Sequence, residues 1–449
     1  MNIRGSKASP VDVARALRLA DAPGFLFFDS TPAEGAQDAS WSILCCAPTR
    51  VLTERAGRFV ELPGDAEVTD PIEWLSRSRL DTPVPDHPGL ENLPFHGGLA
   101  GMLGFEFAWH LDEVRAPRKH APTPTVWVGD YPTALVYSHI DRTWWLTGDP
   151  DADAAGWLLD ALENPHNEPI EPGSAERFRL SVSADEYISR CQRAIDAIYA
   201  GEIFEVNYTE RFSADWSGDA FWLYEQLRAT SNGAYCAFLD AGQFQLASVS
   251  PEQFLEVDRG RAITRPIKGT RPRSAEATED AHLAEELQTS EKDRAENVMI
   301  VDLMRNDLTR VCELGSVEAT EICGLHSFVG VHHLVSTVEG DVADGFSAMD
   351  VLLACFPAGS ITGAPKLRSI ELIAQLEEDA RGPYTGTLFY ASRVLGRLDS
   401  SVLIRTAVVT DGAIHYGAGG AVVADSAPRA EYEEACVKAG PLEQVVTDD

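Results

Sequence analysis

The amino-acid sequence predicts an α+β fold in which antiparallel strands are interrupted by long helices. Two observations predict it. Short apolar runs bounded by turn residues fill the first third of the chain, and capped segments of helical spacing interrupt strand-like segments afterwards. With 449 residues, 44% hydrophobic and 24% charged, the chain can form one large domain or two to three ordinary ones around a real core.

Taken in order, GFLFFDS (24–30), WSILCCA (41–47) and TALVYSHI (133–140) read as strands. Cys45 and Cys46 are expected to be small core residues, not a redox pair. PFHGGLAGMLGFEFAWHL (94–111) spaces glycines at 97, 98, 101 and 104. That is not a G-x-G-x-x-G nucleotide loop, and bulges or close backbone packing are the expected use. The acidic stretch 148–176 reads as a short helix, Ala154–Leu162, and an exposed linker, dividing residues 1–175 from 176–449.

Beyond the linker, Ser183 and Glu186 form a capping box, Tyr187, Cys191, Ala194, Ile195 and Ile198 share one face, and Gly201 closes the helix. EIFEVNYTERF (202–212) alternates as a half-buried strand. Further helices are predicted over Asp280–Asp307, over Ala364–Leu376 and from Pro428, whose fixed φ suits a first turn.

The formal net charge of −33 argues against nucleic acid, which is bound by neutralising phosphates with Lys and Arg. Most of that acidity serves solubility, but an anionic substrate would need a locally positive or metal-containing site. No run of about 18 apolar residues predicts a membrane span, and the N-terminus lacks a secretory h-region. Eight cysteines without metal-type pairs fit reduced cytosolic thiols, so a cytoplasmic protein is expected.

Two helices carry carboxylates three residues apart: Asp293 with Glu296, and Glu431 with Glu434, Lys438 following one turn later. Such pairs ordinarily form a solvated charged face. Glu296, however, precedes the nearly uncharged Asn297–Val301, so its helix is mostly buried and an acid at its edge needs a reason. Two such pairs facing each other would make an oxygen-only cage for Mg²⁺, although spacing alone does not show that they face. FPAGSITGAPKLRSIELI (356–373) opens a helix near Pro365, and HYGAGGAVV (415–423) is dense in glycine; in both, free N–H groups can meet an anion. Arg405, in SVLIRTAVV, is a candidate carboxylate ligand, with an internal Asp or Glu partner as the plain alternative. ITRPIKGTRPR (263–273) leaves Lys268 with three readings: a solvated charge, a grip on an anion, or a nucleophile.

SPEQF, PIKGTRPR, AENVMIVDLMRNDL, VHHLVSTVEG, FPAGSITGAPK, RGPYTG and GAGGAVV, in that order, resemble the chorismate-utilising enzymes. That family contains anthranilate synthase component I, aminodeoxychorismate synthase component I, isochorismate synthase and salicylate synthase. The likeness covers the chain from about residue 180, and more loosely Asp29–Ser30 and residues 94–107. It implies two antiparallel sheets packed as a sandwich flanked by helices, like anthranilate synthase component I, with the site in a cleft between them and terminal segments that can interleave.

Lysine before Gly269–Thr270 is similar to the branch that forms 4-amino-4-deoxychorismate, whereas the other branches generally carry alanine. The resemblance implies that Lys268 adds to C2 of chorismate while Glu252 protonates the departing C4 hydroxyl, and that ammonia then adds at C4 and expels the lysine. It implies Mg²⁺ held by Glu296 and Glu434, with Asp293 and Glu431 contributing through water. Arg405, Tyr384 and the backbone of Gly417, Gly419 and Gly420 would hold substrate carboxylates, with Gly269, Thr270, His333, Thr362 and Lys438 lining the pocket.

Isochorismate and salicylate synthases place a water-activating lysine where this chain has Glu205, so that route is not available. Glutamine is expected there in amine-forming relatives, and the role of Glu205 is open. No G-x-C-x-G glutaminase turn occurs, which implies a separate glutamine amidotransferase subunit supplying ammonia on a route to 4-aminobenzoate and folate. FFDS (27–30) and SNGAYCAF (231–238) stand where feedback-regulated relatives carry LLES and NPSPY, so tight tryptophan inhibition is not expected. Two alternatives stay open: an enzyme making anthranilate or 2-amino-2-deoxyisochorismate, with Lys268 as an electrostatic clamp, and a non-catalytic chorismate-binding paralogue.

Overall fold

Successive side chains of a strand point to opposite faces, and here both faces are covered. The computed structural model describes residues 1–3, 5–30, 41–77, 90–230, 233–328, 330–394 and 396–446; Ser231 and Asn232 of the SNGAYCAF stretch lie outside them. In the strand Leu26–Asp29, Leu26 enters a core shared with Met102 and Leu388, and Phe27 enters a second core with Val13 and Leu158. Trp41–Cys45 repeats the pattern: Ile43 and Cys45 go one way, Leu44 and Cys46 the other. Double-sided burial is why these strands read as continuous apolar runs. Cys45 and Cys46 are free thiols with no exposed surface, pushed above the ordinary thiol range by burial.

The strands form two antiparallel sheets, of thirteen and twelve strands among the described residues, packed face to face with helices outside. This is the expected sandwich. Its middle layer is the core that Leu26, Ile43, Ala100, Trp127, Leu239 and Leu388 share. The helices Pro10–Leu19, Asp153–Glu163 and Ala220–Thr230 cover the first sheet. Ala184–Tyr199, Glu291–Thr309, Ala348–Cys355 and Lys366–Leu376 pack in a third core, with Leu255 and Phe389 of the second sheet and Val206 and Tyr208 of the first.

Each sheet is two sequence blocks joined at one strand pair. In the first sheet, Leu26–Asp29 pairs with Cys236–Leu239. In the second, Gly98–Leu103 pairs with Thr387–Ser392. All strands before residue 149 lie on one side of these junctions and all later strands on the other. Close packing inside Gly98–Leu103 requires glycine: a Cβ on Gly101 would stand 2.2 Å from the Trp127 carbonyl oxygen.

Helix ends follow their capping chemistry. The Ser183 hydroxyl accepts the Glu186 N–H, and Gly201 (φ +76°) follows the C-cap. Pro428 begins the last helix, Pro428–Val446. The single helix expected over Asp280–Asp307 is instead two, Ala277–Thr289 and Glu291–Thr309. Ser290 lies between them in extended geometry (φ −65°, ψ 108°), and its hydroxyl accepts the Asp293 N–H. A serine with an acid three residues on is a start signal that outweighs continuous helix propensity. Ser290→Ala is expected to lower unfolding stability by about 1 kcal/mol, read as a lower urea midpoint at unchanged m-value.

Candidate active site

Lys268 is the second residue of the strand Ile267–Pro272, in the second sheet. Its partner strand, Val331–Asp341, is paired at Leu334 opposite Lys268 and at His333 opposite Thr270, so Gly269 is an extra, bulged residue. Gly269 has φ +81°, and a Cβ there would meet Asp293 Cβ at 2.9 Å and Leu287 Cδ1 at 3.0 Å. Glycine therefore serves both the left-handed turn and the close approach of the Glu291–Thr309 helix. Lys268 precedes the bulge and reaches the first sheet with its Nζ.

Across the cleft stands Glu205, first residue of the Glu205–Ser217 strand of the first sheet. Lys268 Nζ donates to Glu205 Oε1 at 3.2 Å and to the Ser360 carbonyl at 3.4 Å. The Lys268 side chain is 12% exposed and the Glu205 side chain 0%. Burial alone would push the ammonium down, but Glu205, Glu296 and Glu252 outweigh it and hold Lys268 above its ordinary range. The solvated-charge reading is therefore excluded.

Glu252 lies where the chain steps from the first sheet (Gln245–Ser250) to the second (Gln253–Asp258). Its N–H donates to Ser250 Oγ and its carbonyl accepts the Val402 N–H, fixing the step. Burial raises its carboxyl above the usual range, against a Ser360 hydrogen bond and the Lys268 charge. An acid shifted this way holds its proton longer. Ser360 thus touches both Lys268 and Glu252, a contact the sequence analysis missed; its hydroxyl within the small-residue turn AGSITGAP was the available signal.

The remaining arginines of ITRPIKGTRPR are paired. Arg265 meets Glu256, Arg271 meets Glu286 and Asp293, and Arg273 meets Asp280. Thr270 Oγ1 lies 2.9 Å from His333 Nδ1. Burial pushes the His333 imidazole down to about 4, with Arg405 and His332 adding to the effect and a bond to the Gly269 backbone opposing it. Arg405 sits not inside a strand but in the bend between Leu398–Val402 and Thr406–Thr410, exposed, at φ +48°. Among the described residues no ion pair joins it to an internal Asp or Glu. Thr362 is buried and its hydroxyl is turned to the Ala358 and Gly359 carbonyls.

Tyr384 is held by its neighbours. Its ring lies against Gly417, where a Cβ would stand 2.2 Å from Tyr384 Cδ1. Three residues earlier, Arg381 pairs with Glu377 at 2.6 Å, donates to the Asn207 and Ile361 carbonyls, and stacks 4.5 Å over Phe105. Glu377 also accepts from Thr209. Glu106 accepts the Arg381 and Gly382 N–H groups, and burial nonetheless raises its carboxyl to about 7. This support was also missed by sequence; Glu377 and Arg381 have helical spacing, but the helix ends at Leu376.

The two acidic helix faces meet over Lys292, which is 3.8 Å from Glu296 and acts electrostatically on Glu431. Glu431 is buried and accepts from Ser426, and burial raises its carboxyl. Glu434 is half-exposed, 2.7 Å from Lys438, whose Nζ also donates to the Gly419 carbonyl. Gly420 lies beneath both acids, a Cβ there reaching an oxygen of each at 3.3 Å. Among the described residues no three His, Cys, Asp or Glu side chains stand close enough to form a metal site on their own. The donors are all oxygen, the type a hard cation takes, but three already have a cationic neighbour: Lys292 for Glu296, Lys438 for Glu434 and Arg271 for Asp293.

Between the two sheets the structure gathers a buried lysine and an acid whose carboxyl is raised by burial, close to the acidic face of the Glu291–Thr309 helix, a grouping suited to enzyme chemistry. Residues 33–444 match the chorismate binding enzyme family, and the chain belongs to it. It is 36% identical to aminodeoxychorismate synthase component 1 of Salmonella typhimurium, over 88% of this chain and 87% of that protein. It is equally 36% identical to anthranilate synthase component 1 of Thermus thermophilus, over 96% of this chain and 94% of that protein. The crystal structure of anthranilate synthase component I from Streptococcus pneumoniae superposes with a TM-score of 0.79 at 28% identity, covering 93% of this chain and 94% of that one. Further aminodeoxychorismate synthases match at 38 to 40% identity, so overall similarity leans towards that kind of relative. No helix among the described residues is long and apolar enough to cross a membrane.

The His333 shift carries a pH dependence. The imidazolium is disfavoured in the folded chain and not in the unfolded one, so stability on this account is full above about pH 6.5 and is lost as pH falls towards about 4. His333→Gln is expected to flatten that part of the stability–pH curve, and the wild-type ring is expected to show no NMR titration above pH ~5.5.

Proposed function

We propose that this protein aminates chorismate at C4, making 4-amino-4-deoxychorismate with ammonia from a glutamine amidotransferase partner in the cytoplasm, on a route to 4-aminobenzoate and folate. One observation carries the reading: the cleft presents a buried amine, Lys268, beside an acid, Glu252, whose burial favours its protonated form. A site built only to bind anions has no need of that acid.

In the proposed reaction the Lys268 amine forms a bond to C2, the ring double bonds shift, and the C4–oxygen bond breaks as Glu252 gives its proton to the departing hydroxyl. Ammonia then bonds to C4, the double bonds shift back, and the C2–nitrogen bond breaks to release Lys268. Arg405, free of a carboxylate partner among the described residues, and Tyr384 on Gly417 are suited to the enolpyruvyl carboxylate. Glu296 and Glu434, with Asp293 and Glu431, would hold Mg²⁺, which when bound neutralises and orients the ring carboxylate. The carboxylates that hold Lys268 above its ordinary range favour one second reading, a clamp on a substrate anion with amination at C2.

The two are separated by incubating the protein with chorismate, Mg²⁺ and an ammonium salt. A product that an added lyase converts to 4-aminobenzoate supports the proposal; anthranilate overturns it. Lys268→Ala is expected to lose C4 amination by on the order of 10³-fold or more and to lose the substrate adduct seen by intact mass. Undiminished activity would exclude an obligatory lysine adduct.

A further inference from the structure

An ammonium has no lone pair, so Lys268 must lose a proton before it can attack carbon. Four groups face it: Glu205 on the first sheet, Ser360 in the turn before the Lys366–Leu376 helix, Glu252 at the step between sheets and Glu296 on its helix. The Ser360 carbonyl accepts a hydrogen bond but not the proton. Glu252 has to arrive at the reaction still protonated. Glu296 acts on Lys268 only electrostatically. Glu205 remains, with one oxygen in contact at 3.2 Å and the other, Oε2, buried without any hydrogen-bond partner in the described structure. A fully buried carboxylate with an idle oxygen is a costly feature unless it is used.

We propose that Glu205 is the proton acceptor that converts the Lys268 ammonium into the attacking amine. The inference rests on the lysine route proposed above. The Nζ–H bond breaks and an O–H bond forms on Glu205, turning the ion pair into a neutral acid and a neutral amine. Exclusion of water by bound substrate favours that neutral pair. The amine lone pair then makes the bond to C2. When ammonia at C4 expels Lys268 as a neutral amine, Glu205 returns its proton and the ion pair reforms, with no net change on either residue.

The test follows adduct formation on mixing with chorismate and Mg²⁺ in the absence of ammonia, by quenched intact mass, for the wild type, Glu205→Gln and Glu205→Asp. Glu205→Gln is expected to form the adduct about 100-fold more slowly at pH 7, the deficit shrinking roughly tenfold per pH unit as Lys268 loses its proton to solvent. Glu205→Asp, which keeps a carboxylate, is expected to retain the wild-type pH profile within about a tenfold loss of rate. If Glu205 only clamped the ammonium, its removal would free the amine, and a Glu205→Gln rate at pH 7 equal to or above wild type overturns the inference. A deficit independent of pH, or a Glu205→Asp profile like that of Glu205→Gln, does so as well. If the wild type forms no adduct yet still aminates chorismate, the lysine route itself falls and takes this step with it. An adduct in the wild type with either failure above removes Glu205 alone.

Discussion

A single buried guanidinium ties the frame of the cleft together. Arg381 joins the end of the Lys366–Leu376 helix through Glu377, the first sheet through the Asn207 carbonyl, and the Gly359–Ile361 turn through the Ile361 carbonyl. Its own N–H reaches Glu106, in the segment that follows the Gly98–Leu103 strand of the second sheet. Both side chains of the Arg381–Glu377 pair are nearly inaccessible, at 2% and 4%. A charge sealed that deeply is tolerated only when its hydrogen bonds are satisfied, and breaking one side of such a pair costs about 3–5 kcal/mol. Tyr384 follows three residues later, so its place over Gly417 is inherited from this network.

Lys268 lives under the opposite regime. Arg381 has one carboxylate partner and backbone carbonyls to complete its bonds, whereas Lys268 is shared among carboxylates from three elements. Its strand is bulged at Gly269 and its carboxylate partner comes from the other sheet. Of the chain's many acids, a few stand here with distinct neighbours: Glu252 on Ser360, Glu205 on Lys268, Glu296 on Lys292. Similar side chains can take different roles because burial and partners differ at each.

What was legible in the sequence was mostly local. Ser183, Pro428 and the apolar run of 41–47 announced their elements because caps and short apolar runs act over a few residues. Ser290 was not read as a break because helical residues continue on both sides and only one side-chain contact divides them. The motif around Lys268 was legible through its resemblance to a family. Its contact with Glu205 was not, because the partners lie 63 positions apart on strands of different sheets. Arg405 was misplaced into a strand because its apolar neighbours hide a bend that only φ reveals. The Arg381 network draws on residues between 106 and 385, a span that no local pattern encodes.

The two-block construction of the sheets has a consequence for how the chain is made. Synthesis proceeds from the N-terminus, and the first block is complete near residue 148, yet each of its two junction edges waits for a strand made much later. The edge at Leu26–Asp29 is covered once residues 236–239 emerge. The edge at Gly98–Leu103 stays open until residues 387–392 emerge, nearly the end of translation. At about 5–20 residues per second that second edge is bare for some tens of seconds. An unpaired apolar strand is a template for pairing with other chains. The nascent N-terminal third is therefore a natural client for chaperones while that edge is bare.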